Sequence, residues 1–542
     1  MRDMKKYDFN TEKYKDTLLK ILTEISKGKD IYGVLRKYPK GKKDFFSKDN
    51  LILGYQYLVK KGLLEEDKDL FNKLKMKPIR TSSGVATVTV LTKPFGCPGK
   101  CIFCPEDIRL PKSYLASEPG AQRALMNDFD PYLQTYNRIL ALQSIGHNVE
   151  KIELIVLGGT WSFYKEDYKI WFVKRCLEAM NDFTKRDGRE DLEKREVCTW
   201  EELEKEQIKN ETAYCRNVGM VFETRPDWIN EEEVKMLRRL GATKIQIGIQ
   251  SLDNKILRAN KRGHGVKESK KAFELLRKAG FKIHAHWMPN LYMSNVKKDK
   301  KDYLKLWKKD FRPDELKIYP TSLIPNTELE ELFKEGKYVP YTEDALKDVL
   351  RFCLLNTPRY CRLTRVVRDI PAQEILEGNK KSNMRQIVEN DLKRDGLVVE
   401  DIRAREIRGK SVEFEDLELE VIEYLPCVSK EFFISYKTKT DDKICGFLRL
   451  SIPKKRECYI DELSNSTIIR EVHVYGSVVG IGKKNRGRSQ HLGLGKRMVK
   501  IAEGISKENG FKNIAVISAI GTRKYYEKIG FKEGALYQMK DL

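Results

Sequence analysis

Three closely spaced cysteines, Cys97, Cys101 and Cys104, are the residues of this 542-residue chain most clearly suited to chemistry. Iron–sulfur clusters are held by cysteine thiolates, and a four-iron cluster has four irons to ligate. No other cysteine lies between 104 and 176, so one iron would lack a protein ligand and could bind and reduce a small molecule. The alternatives are a zinc site, which usually has four ligands in spaced pairs, and three core cysteines. The spacing favours the open cluster.

Short β-branched runs alternate with helical stretches from about residue 85 onward. This alternation predicts an α/β fold with a parallel sheet, closed or partly closed as a (β/α) barrel, and chemistry at the carboxyl ends of the strands. The cysteines follow the first strand and therefore lie at that end. We interpret the charged stretch 183–218 as a surface insertion. The candidate strands are 86–91, 152–157, 220–223, 244–249, 282–287 and 316–319, and the candidate helices are 120–145, 165–182, 231–240, 266–279 and 297–309.

Glycines and polar residues follow three of the candidate strands. Gly158 and Gly159 permit close backbone approach to a ligand, while Glu223 and Ser251 end later strands with polar groups. Each feature alone is weak, because glycines after strands are more often plain turns. Together with the cysteines they resemble the radical S-adenosylmethionine (SAM) enzymes. That resemblance implies a [4Fe-4S] cluster on the three cysteines, and SAM as a cofactor bound near the two glycines, Glu223 and Ser251.

The composition favours a globular protein with a polyanionic partner. Net charge is +24, from 104 basic and 80 acidic side chains, and such an imbalance points first to nucleic acid. A thermophile's charge-rich surface is the alternative, but it does not explain the imbalance. Eleven cysteines are an odd count, which argues for reduced thiols. With no signal peptide and no apolar run of the ~20 residues that span a bilayer, we expect a cytoplasmic protein without a membrane partner.

The N-terminal residues 1–76 are predicted to form a basic, helical, RNA-binding region. Apolar residues recur at helical spacing in 17–25 and 51–59. The segment 35–43 concentrates lysines and an arginine around a tyrosine. Phosphate contact is the functional interpretation, and a solvated helix face is the alternative.

Residues 77–330 are assigned to the radical SAM domain and residues 331–395 to a linker region. Arginines recur in this linker every third residue, which suggests either a cationic stripe or interdomain ion pairs. These arginines are Arg359, Arg362, Arg365 and Arg368.

The C-terminal residues 396–542 show an α+β pattern with a second set of motifs. Gln490, Gly493 and Gly495 form a Q-x-x-G-x-G turn that opens an apolar-periodic helix, and such a turn suits a pyrophosphate. A tyrosine-containing helix follows at 522–529. This order resembles the GNAT acyl-CoA-binding fold. The other candidate elements are strands near 418–424, 431–437, 444–452, 467–479 and 513–519, a helix at 493–509 and a final strand.

Both sets of motifs in this order are similar to one family, the catalytic subunit of the Elongator complex, which modifies the wobble uridine of tRNA. Segments 117–124, 130–135, 365–371 and 471–479 carry the likeness. It implies that Lys151 contacts acetyl-CoA from the radical SAM domain. In the GNAT domain it implies acetyl-CoA contacts by Glu471, Val472, His473, Val474, Gln490, Gly493, Leu494, Gly495 and Tyr526.

The resemblance further implies a radical SAM tRNA uridine acetyltransferase that installs a carboxymethyl group at the 5-position of the wobble uridine. Cys97, Cys101, Cys104, Lys151 and Tyr526 would be the catalytic residues. The partners would be the tRNA anticodon stem-loop, acetyl-CoA and an electron donor, with no obligate protein subunits in this stand-alone form. Some relatives carry extra metal-binding cysteines, whereas 399–407 has none, so we expect no zinc. The alternatives are a protein-lysine acetyltransferase with a structural cluster, and a tRNA-binding scaffold that senses acetyl-CoA.

Overall fold

Seven parallel strands form the first sheet in simple chain order, from β1 at one edge to β7 at the other. The computed structural model describes residues 9–41, 44–76, 81, 83–184, 197–408, 412–475 and 493–542. Outward-facing strand residues such as Leu154 and Ile247 are buried beneath helices. The alternate residues face the inside of an open half-barrel, which we call the lumen. The strands are β1 Ala86–Leu91, β2 Lys151–Leu157, β3 Arg216–Thr224, β4 Lys244–Gln250, β5 Lys282–Trp287, β6 Glu315–Ile318 and β7 Arg362–Val366.

Helices connect these strands, as the sequence pattern predicts, with two differences. The stretch 120–145 is two helices, because Asp128 and Phe129 have φ of 49° and 56° and Asp130 caps the second helix. The charged stretch 183–218 contains a helix packed on its predecessor, and β3 already begins at Arg216. The helices are α5 Pro119–Met126, α6 Pro131–Ser144, α7 Glu166–Asn181, α8 Trp200–Asn210, α9 Glu231–Arg239, α10 Asn254–Ala259, α11 Val266–Lys278, α12 Val296–Lys305 and α13 Glu328–Lys334.

The stretch 331–395, predicted as a linker, has regular structure of its own. Its central strand β7 pairs in parallel with β6 and completes the first sheet. Arg359, Arg362, Arg365 and Arg368 each form an ion pair with a carboxylate, so the structure favours the ion-pair interpretation over a free cationic stripe. The helices of this region are α14 Glu343–Leu355 and α15 Met384–Arg394, and the short helix α16 Ile402–Arg405 follows it.

A second, mixed sheet makes up the C-terminal α+β unit. Its strand order is β13-β14-β12-β11-β10-β9-β8, and only β11 and β12 run parallel. The buried cores of the two sheets are continuous with each other. The elements are β8 Leu417–Tyr424, β9 Ser429–Thr438, β10 Ile444–Pro453, β11 Ser466–Val474, α17 Leu494–Glu508, β12 Asn513–Val516, α18 Arg523–Glu527, β13 Lys532–Glu533 and β14 Gln538–Asp541.

This second sheet covers the amino-terminal ends of the barrel strands, opposite the cysteine loop. Arg238 donates to the carbonyls of Leu536 and Ser518 at 2.9 and 2.7 Å. The hydroxyl of Tyr537 donates to the carbonyl of Ala279 at 2.6 Å. We call this covered end of the barrel the floor. The cysteine loop lies at the open end, which we call the mouth.

The N-terminal helices form a unit with a separate hydrophobic core. Leu18, Leu22, Leu51 and Leu58 are fully buried in that core, as the helical periodicity predicts. The helices are α1 Lys15–Ser26, α2 Ile31–Lys37, α3 Lys48–Lys60 and α4 Lys68–Leu74.

Within the part of the chain that the structure describes, none of the helices has the length and apolar character needed to cross a membrane.

Candidate functional site: the barrel mouth and the floor beneath it

The cysteine loop lies directly after β1, with its apolar residues anchored in a small core. Ile102 and Phe103 are buried against residues such as Leu291 and Leu323. This packing holds Cys101 in the interior and leaves Cys97 and Cys104 half-buried. The loop is therefore positioned by its own hydrophobic residues, and its thiols lie at the mouth of the barrel.

Two arginines bring positive charge to this loop. Arg262 donates to the sulfur of Cys101 at 3.1 Å and to the carbonyl of Gly248 at 2.8 Å. A hydrogen bond with Cys104, together with Arg262 and Arg225, lowers the pKa of Cys101 to about 5. The same contact and burial raise the pKa of Cys104. The surroundings thus stabilise the thiolate of Cys101, the form of cysteine that ligates metal.

The donor set fits an iron–sulfur cluster. Arg225 has a buried guanidinium nitrogen, Nη1, without a hydrogen-bond partner in the described residues, and it points at Gly99, where an added Cβ would lie 2.1 Å from it. A thiolate-bound cluster is anionic, and this cation is placed to balance it. Among the described residues, no group of three or more His, Cys, Asp or Glu side chains is already gathered as a metal site. Cys97 instead contacts Thr160, at 3.7 Å between Sγ and Oγ1.

The glycine pair after β2 lies beside the cysteine loop. Gly158 and Gly159 have φ of 121° and 47°, conformations that favour glycine. A Cβ on Gly158 would lie 2.1 Å from Oγ1 of Thr92. The backbone of Gly158 therefore passes closer to Thr92, the residue that follows β1, than it could if position 158 carried a side chain. The following residue, Thr160, contacts Cys97, so the turn and the loop form one surface.

Glu223 and Ser251 have different surroundings. The Glu223 carboxylate is 26 % exposed and lies 3.5 Å from Nδ1 of His286, so it faces the lumen just below the mouth. The Ser251 hydroxyl is buried and donates to Asp302 at 3.0 Å. Its neighbour Gln250 adopts φ 62°, and Oε1 of Gln250 is buried without a hydrogen-bond partner among the described residues.

The second set of predicted residues surrounds an open edge of β11. β12 pairs with β11 only from Ser466 to Ile469, and Ile517 adds one further hydrogen bond to Ile469. In the described residues, 471–474 therefore has a neighbouring strand on one side only, namely β10. An exposed backbone edge of this kind can pair with the amides of a ligand.

The first turn of α17 lies next to this edge. A Cβ on Gly495 would lie 3.9 Å from the side chains of both Val472 and Val474, and 3.0 Å from the hydroxyl of Tyr525. Leu494 is buried and Gly493 caps the helix with φ 65°. Gln490 lies outside the described residues.

Tyr526 is buried next to Tyr525. Its ring packs edge-on against Tyr525 and Phe531, with centroid distances of 5.1 and 5.6 Å. Burial raises the pKa of Tyr526, so its hydroxyl stays protonated and able to donate. Tyr525 approaches Gly495 more directly and was not predicted, because the motif alone does not show which of two adjacent tyrosines faces the glycine turn.

Glu471 and His473 alternate with the two valines and face the barrel floor. Glu471 accepts a hydrogen bond from Arg449 at 2.9 Å and pairs with Lys282, the first residue of β5. Lys151 begins β2 at the same floor, and burial lowers its pKa. The tertiary structure therefore brings Lys151 and 471–474, whose roles only the family resemblance implies, to one end of the barrel.

Other polar residues of the lumen were missed by sequence analysis. His286 lies 3.1 Å from the amide oxygen of Gln246, and Lys317 donates to the same oxygen. Burial lowers the pKa of His286 well below its usual range, so it is neutral. The alternation of polar residues in 282–287, Lys-Ile-His-Ala-His-Trp, is the one signal that could have identified this surface.

Comparison with known proteins gives consistent matches. Residues 92–298 match the Radical SAM superfamily and residues 313–394 match the Radical SAM C-terminal domain. The chain is 40% identical over 501 residues to the tRNA uridine(34) acetyltransferase of Methanocaldococcus infernus, covering 90% of this chain and 91% of that protein. It is 34% identical over 492 residues to human Elongator complex protein 3, covering 88% and 87%.

A solved structure is also similar to this one. It is that of archaeal Methanocaldococcus infernus Elp3 with an N-terminal deletion of residues 1–46. The TM-score is 0.71 with 36% sequence identity, over 85% of this chain and 99% of that chain.

Proposed function

Because the chain belongs to the family of the tRNA uridine(34) acetyltransferases and Elongator complex protein 3, we propose that it modifies the wobble uridine of tRNA. The proposed reaction uses SAM-derived radical chemistry and acetyl-CoA and leaves a carboxymethyl group at the 5-position. The observation that supports the proposal is that the two candidate sites belong to one barrel with a continuous core. The cysteine loop lies at the mouth, and the open β11 edge lies at the floor.

Cys97, Cys101 and Cys104 would hold the [4Fe-4S] cluster, with Arg225 and Arg262 balancing its charge. When bound, the cluster and SAM supply a reductively generated 5′-deoxyadenosyl radical, which takes hydrogen atoms from unactivated carbon. Gly158 and Gly159 offer backbone to SAM, and Glu223 offers a carboxylate. An external electron donor for the cluster is part of the proposal.

Acetyl-CoA would lie along the open edge at 471–474. Its pyrophosphate would lie at the first turn of α17, where the backbone N–H groups of Gly493, Leu494 and Gly495 favour an anion. Tyr526 would contact the thioester end, and Lys151 would approach from the barrel. The acetyl methyl carbon, after giving one hydrogen atom to the 5′-deoxyadenosyl radical, would form the new bond to C5 of the uridine. Loss of the C5 proton, with one electron returned to the cluster, would restore the uracil ring, and hydrolysis of the thioester by water would release CoA and leave the carboxymethyl group.

The N-terminal unit would bind the tRNA anticodon stem-loop. Tyr32 is 61% exposed and Phe45 is 53% exposed, and Lys48 lies over the Tyr32 ring at 5.7 Å. Cations beside exposed aromatic rings suit both phosphates and unstacked bases. The tRNA substrate also supports a cytoplasmic enzyme, and we propose that it acts without obligate protein subunits.

The decisive experiment is anaerobic reconstitution with iron, sulfide, a reductant, SAM, acetyl-CoA and tRNA, followed by mass analysis of the tRNA nucleosides. The proposal predicts carboxymethylated uridine only when every component is present. Acetylation of peptide lysines without SAM or reductant would instead establish a protein acetyltransferase. Binding of tRNA and acetyl-CoA with no product under any condition would establish a scaffold.

A further inference from the structure

The first sheet has β1 and β7 at its two edges, and the segments that follow these strands meet at the mouth. Arg368, which lies two residues beyond β7, donates from Nη2 to the carbonyl of Ser113 at 2.6 Å and to Oε1 of Glu118 at 2.7 Å. Both acceptors lie between the cysteine loop and α5, and Glu118 is the N-cap of that helix. We call Arg368, Ser113 and Glu118 the clamp. It spans the open side of the half-barrel at the mouth.

The clamp is a largely buried, charge-assisted contact. Glu118 is 8% exposed, and its Oε1 also accepts a hydrogen bond from the backbone N–H of Leu115 at 3.1 Å. Hydrogen bonds between a guanidinium and a carboxylate are about twice as strong as bonds between neutral groups. The clamp therefore fixes the segment after the cysteine loop relative to the segment after β7.

The backbone is strained on both sides of the clamp. Ser113 has a φ of 78° and Val367 a φ of 77°, and the left-handed region is an outlier for a β-branched residue. The N–H of Val367 donates to the carbonyl of Ile318 at 2.9 Å, and its side chain packs against the main core. Strained residues persist where the surrounding structure fixes them, and they cluster at functional sites. The clamp is therefore a candidate functional feature of the mouth.

The clamp holds the ring of Tyr114, the residue after Ser113. The Arg368 guanidinium lies over this ring, 5.2 Å from its centroid, and a cation over a ring face attracts the ring. The Tyr114 hydroxyl donates to Oε2 of Glu223 at 3.5 Å. Burial and the Glu223 carboxylate raise the pKa of Tyr114 well above its usual range. Its hydroxyl therefore keeps the proton that it donates.

His286, the other neighbour of the Glu223 carboxylate, is poorly suited to donate to it. Nδ1 of His286 lies 3.5 Å from Oε1 of Glu223, and Nε2 lies 3.1 Å from the amide oxygen of Gln246. Because that oxygen is an acceptor, to which Lys317 also donates, we assign the ring proton to Nε2. Burial keeps His286 neutral, so Nδ1 then carries no proton. The donor to the Glu223 carboxylate is therefore Tyr114.

We propose that Arg368 is a positioning residue for SAM binding, because it closes the open side of the barrel mouth and, through Tyr114, fixes the orientation of the Glu223 carboxylate. This inference rests on the proposed function, in which Glu223 offers its carboxylate to SAM. A carboxylate that is already oriented in the free protein binds its ligand with a smaller loss of side-chain freedom. The affinity for SAM thus depends on a contact between the two edges of the first sheet.

Hydrogen–deuterium exchange of the full-length protein tests the clamp without any cofactor. Arg368→Gln removes the cation, and we expect the backbone amides of 113–118 to exchange about fivefold faster than in the wild type, as for the loss of one hydrogen bond. Arg365→Gln is the matched control, because Arg365 pairs with Asp369 of its own loop at 3.1 Å. It should leave the exchange of 113–118 unchanged. Unchanged exchange in Arg368→Gln as well overturns the clamp.

Glu118→Gln applies the same test from the other side of the mouth. It removes the carboxylate of the clamp and should also speed the exchange of 113–118. This variant decides the question where Arg368→Gln does not fold, and exchange at the wild-type rate in it then overturns the clamp.

The affinity of the reconstituted protein for SAM tests whether Arg368 acts through Tyr114. Arg368→Gln and Tyr114→Phe should each raise the Kd of SAM about fivefold, with the iron content per chain unchanged. The double variant should bind SAM no more weakly than Arg368→Gln alone, because both changes interrupt the same path. Tyr214→Phe changes a tyrosine that is 44% exposed, and it should bind SAM like the wild type.

The outcomes separate the positioning role from the proposed function. Wild-type affinity of Tyr114→Phe, or effects of the two single changes that multiply in the double variant, overturns the positioning role. Tyr114→Phe keeps the ring, so unchanged exchange of 113–118 in this variant assigns its weaker SAM binding to the lost hydroxyl. Failure of the reconstituted wild-type protein to bind SAM overturns the proposed function, whereas the exchange of 113–118 reports on the clamp alone.

Discussion

Arg470 and Asp314 form a fully buried, bidentate ion pair between the two sheets. The guanidinium of Arg470, on β11, donates to the two carboxylate oxygens of Asp314 at 2.8 and 2.6 Å, and both side chains are 0% exposed. Asp314 directly precedes β6. The strand that carries the proposed acetyl-CoA edge is thus bonded to the floor of the barrel. Around this pair the charges balance, with Arg277, Arg449 and Arg470 against Asp314, Glu431 and Glu471.

Removing one partner of this pair should destabilise the protein strongly. Arg470→Met leaves Asp314 and Glu431 buried with fewer cations, so we expect a loss of about 3–5 kcal/mol in the free energy of unfolding. Denaturant titration followed by circular dichroism measures it. Lys300→Met removes the exposed pair with Asp348 and should cost less than about 1 kcal/mol. Equal effects of the two changes would contradict the importance of the buried pair.

The same pair makes the interface sensitive to acid. The adjacent arginines hold the pKa of Asp314 far below its usual value despite burial. A carboxyl group whose pKa is lower in the native state than its unfolded value of about 3.9 stabilises the protein at pH values above that unfolded pKa. This stabilisation is lost as the pH falls further. We expect the unfolding midpoint to fall steadily below about pH 4, and this fall to be shallower in an Asp314→Asn variant. If the unfolding midpoint of Asp314→Asn falls with pH as steeply as that of the wild type, the acid sensitivity does not come from Asp314.

Cys101 should be required for the cluster but not for RNA binding. Cys101→Ala is expected to abolish the cluster's visible absorbance and SAM cleavage, with tRNA affinity within twofold of wild type. Arg262→Met, which removes the contact to Cys101, should bind less iron per chain after reconstitution. Arg258→Met changes an exposed arginine of nearby α10 and serves as its control. Undiminished deoxyadenosine formation by Cys101→Ala would disprove the cluster assignment.

The two glycines of the 158–159 turn should differ in their tolerance of alanine. A Cβ on Gly158 would collide with Thr92, whereas the nearest atom to a Cβ on Gly159 is 3.7 Å away. Gly159→Ala should lower the free energy of unfolding only by the strain of its positive φ, about 1–2 kcal/mol. Gly158→Ala should lower the free energy of unfolding by more than this and should also weaken SAM binding. Unfolding midpoints and SAM titrations of the two variants measure both effects, and equal stabilities would contradict the steric argument.

A basic residue of α2 should contribute to the salt dependence of tRNA binding. Arg36 is exposed in the basic segment, and Arg36→Gln should weaken binding and reduce the slope of log affinity against log salt by about 0.7–1. Lys507→Gln removes an equal charge from the exposed end of α17 and should leave the slope unchanged. Binding measured by fluorescence anisotropy at several salt concentrations decides between them. An unchanged slope in Arg36→Gln would place the tRNA elsewhere.

The local elements and the two sets of chemical residues can be recognised without any tertiary information. The strand 86–91 and the strand 282–287 occur where alternating β-branched and aromatic runs predict them, because these patterns depend on near neighbours. The cysteine spacing and the glycine turns are likewise local. From these, the half-barrel and the second α+β unit could be predicted.

The way in which the two units meet depends on long-range packing. Lys282 and Glu471 are separated by 189 positions, and no periodicity connects residues so far apart. The docking of the second sheet on the barrel floor turns Glu471 toward the radical domain and makes Arg359 an interdomain partner of Glu420. Buried charges must find opposite charges wherever the packing of the two sheets places them, and that packing is a property of the whole chain.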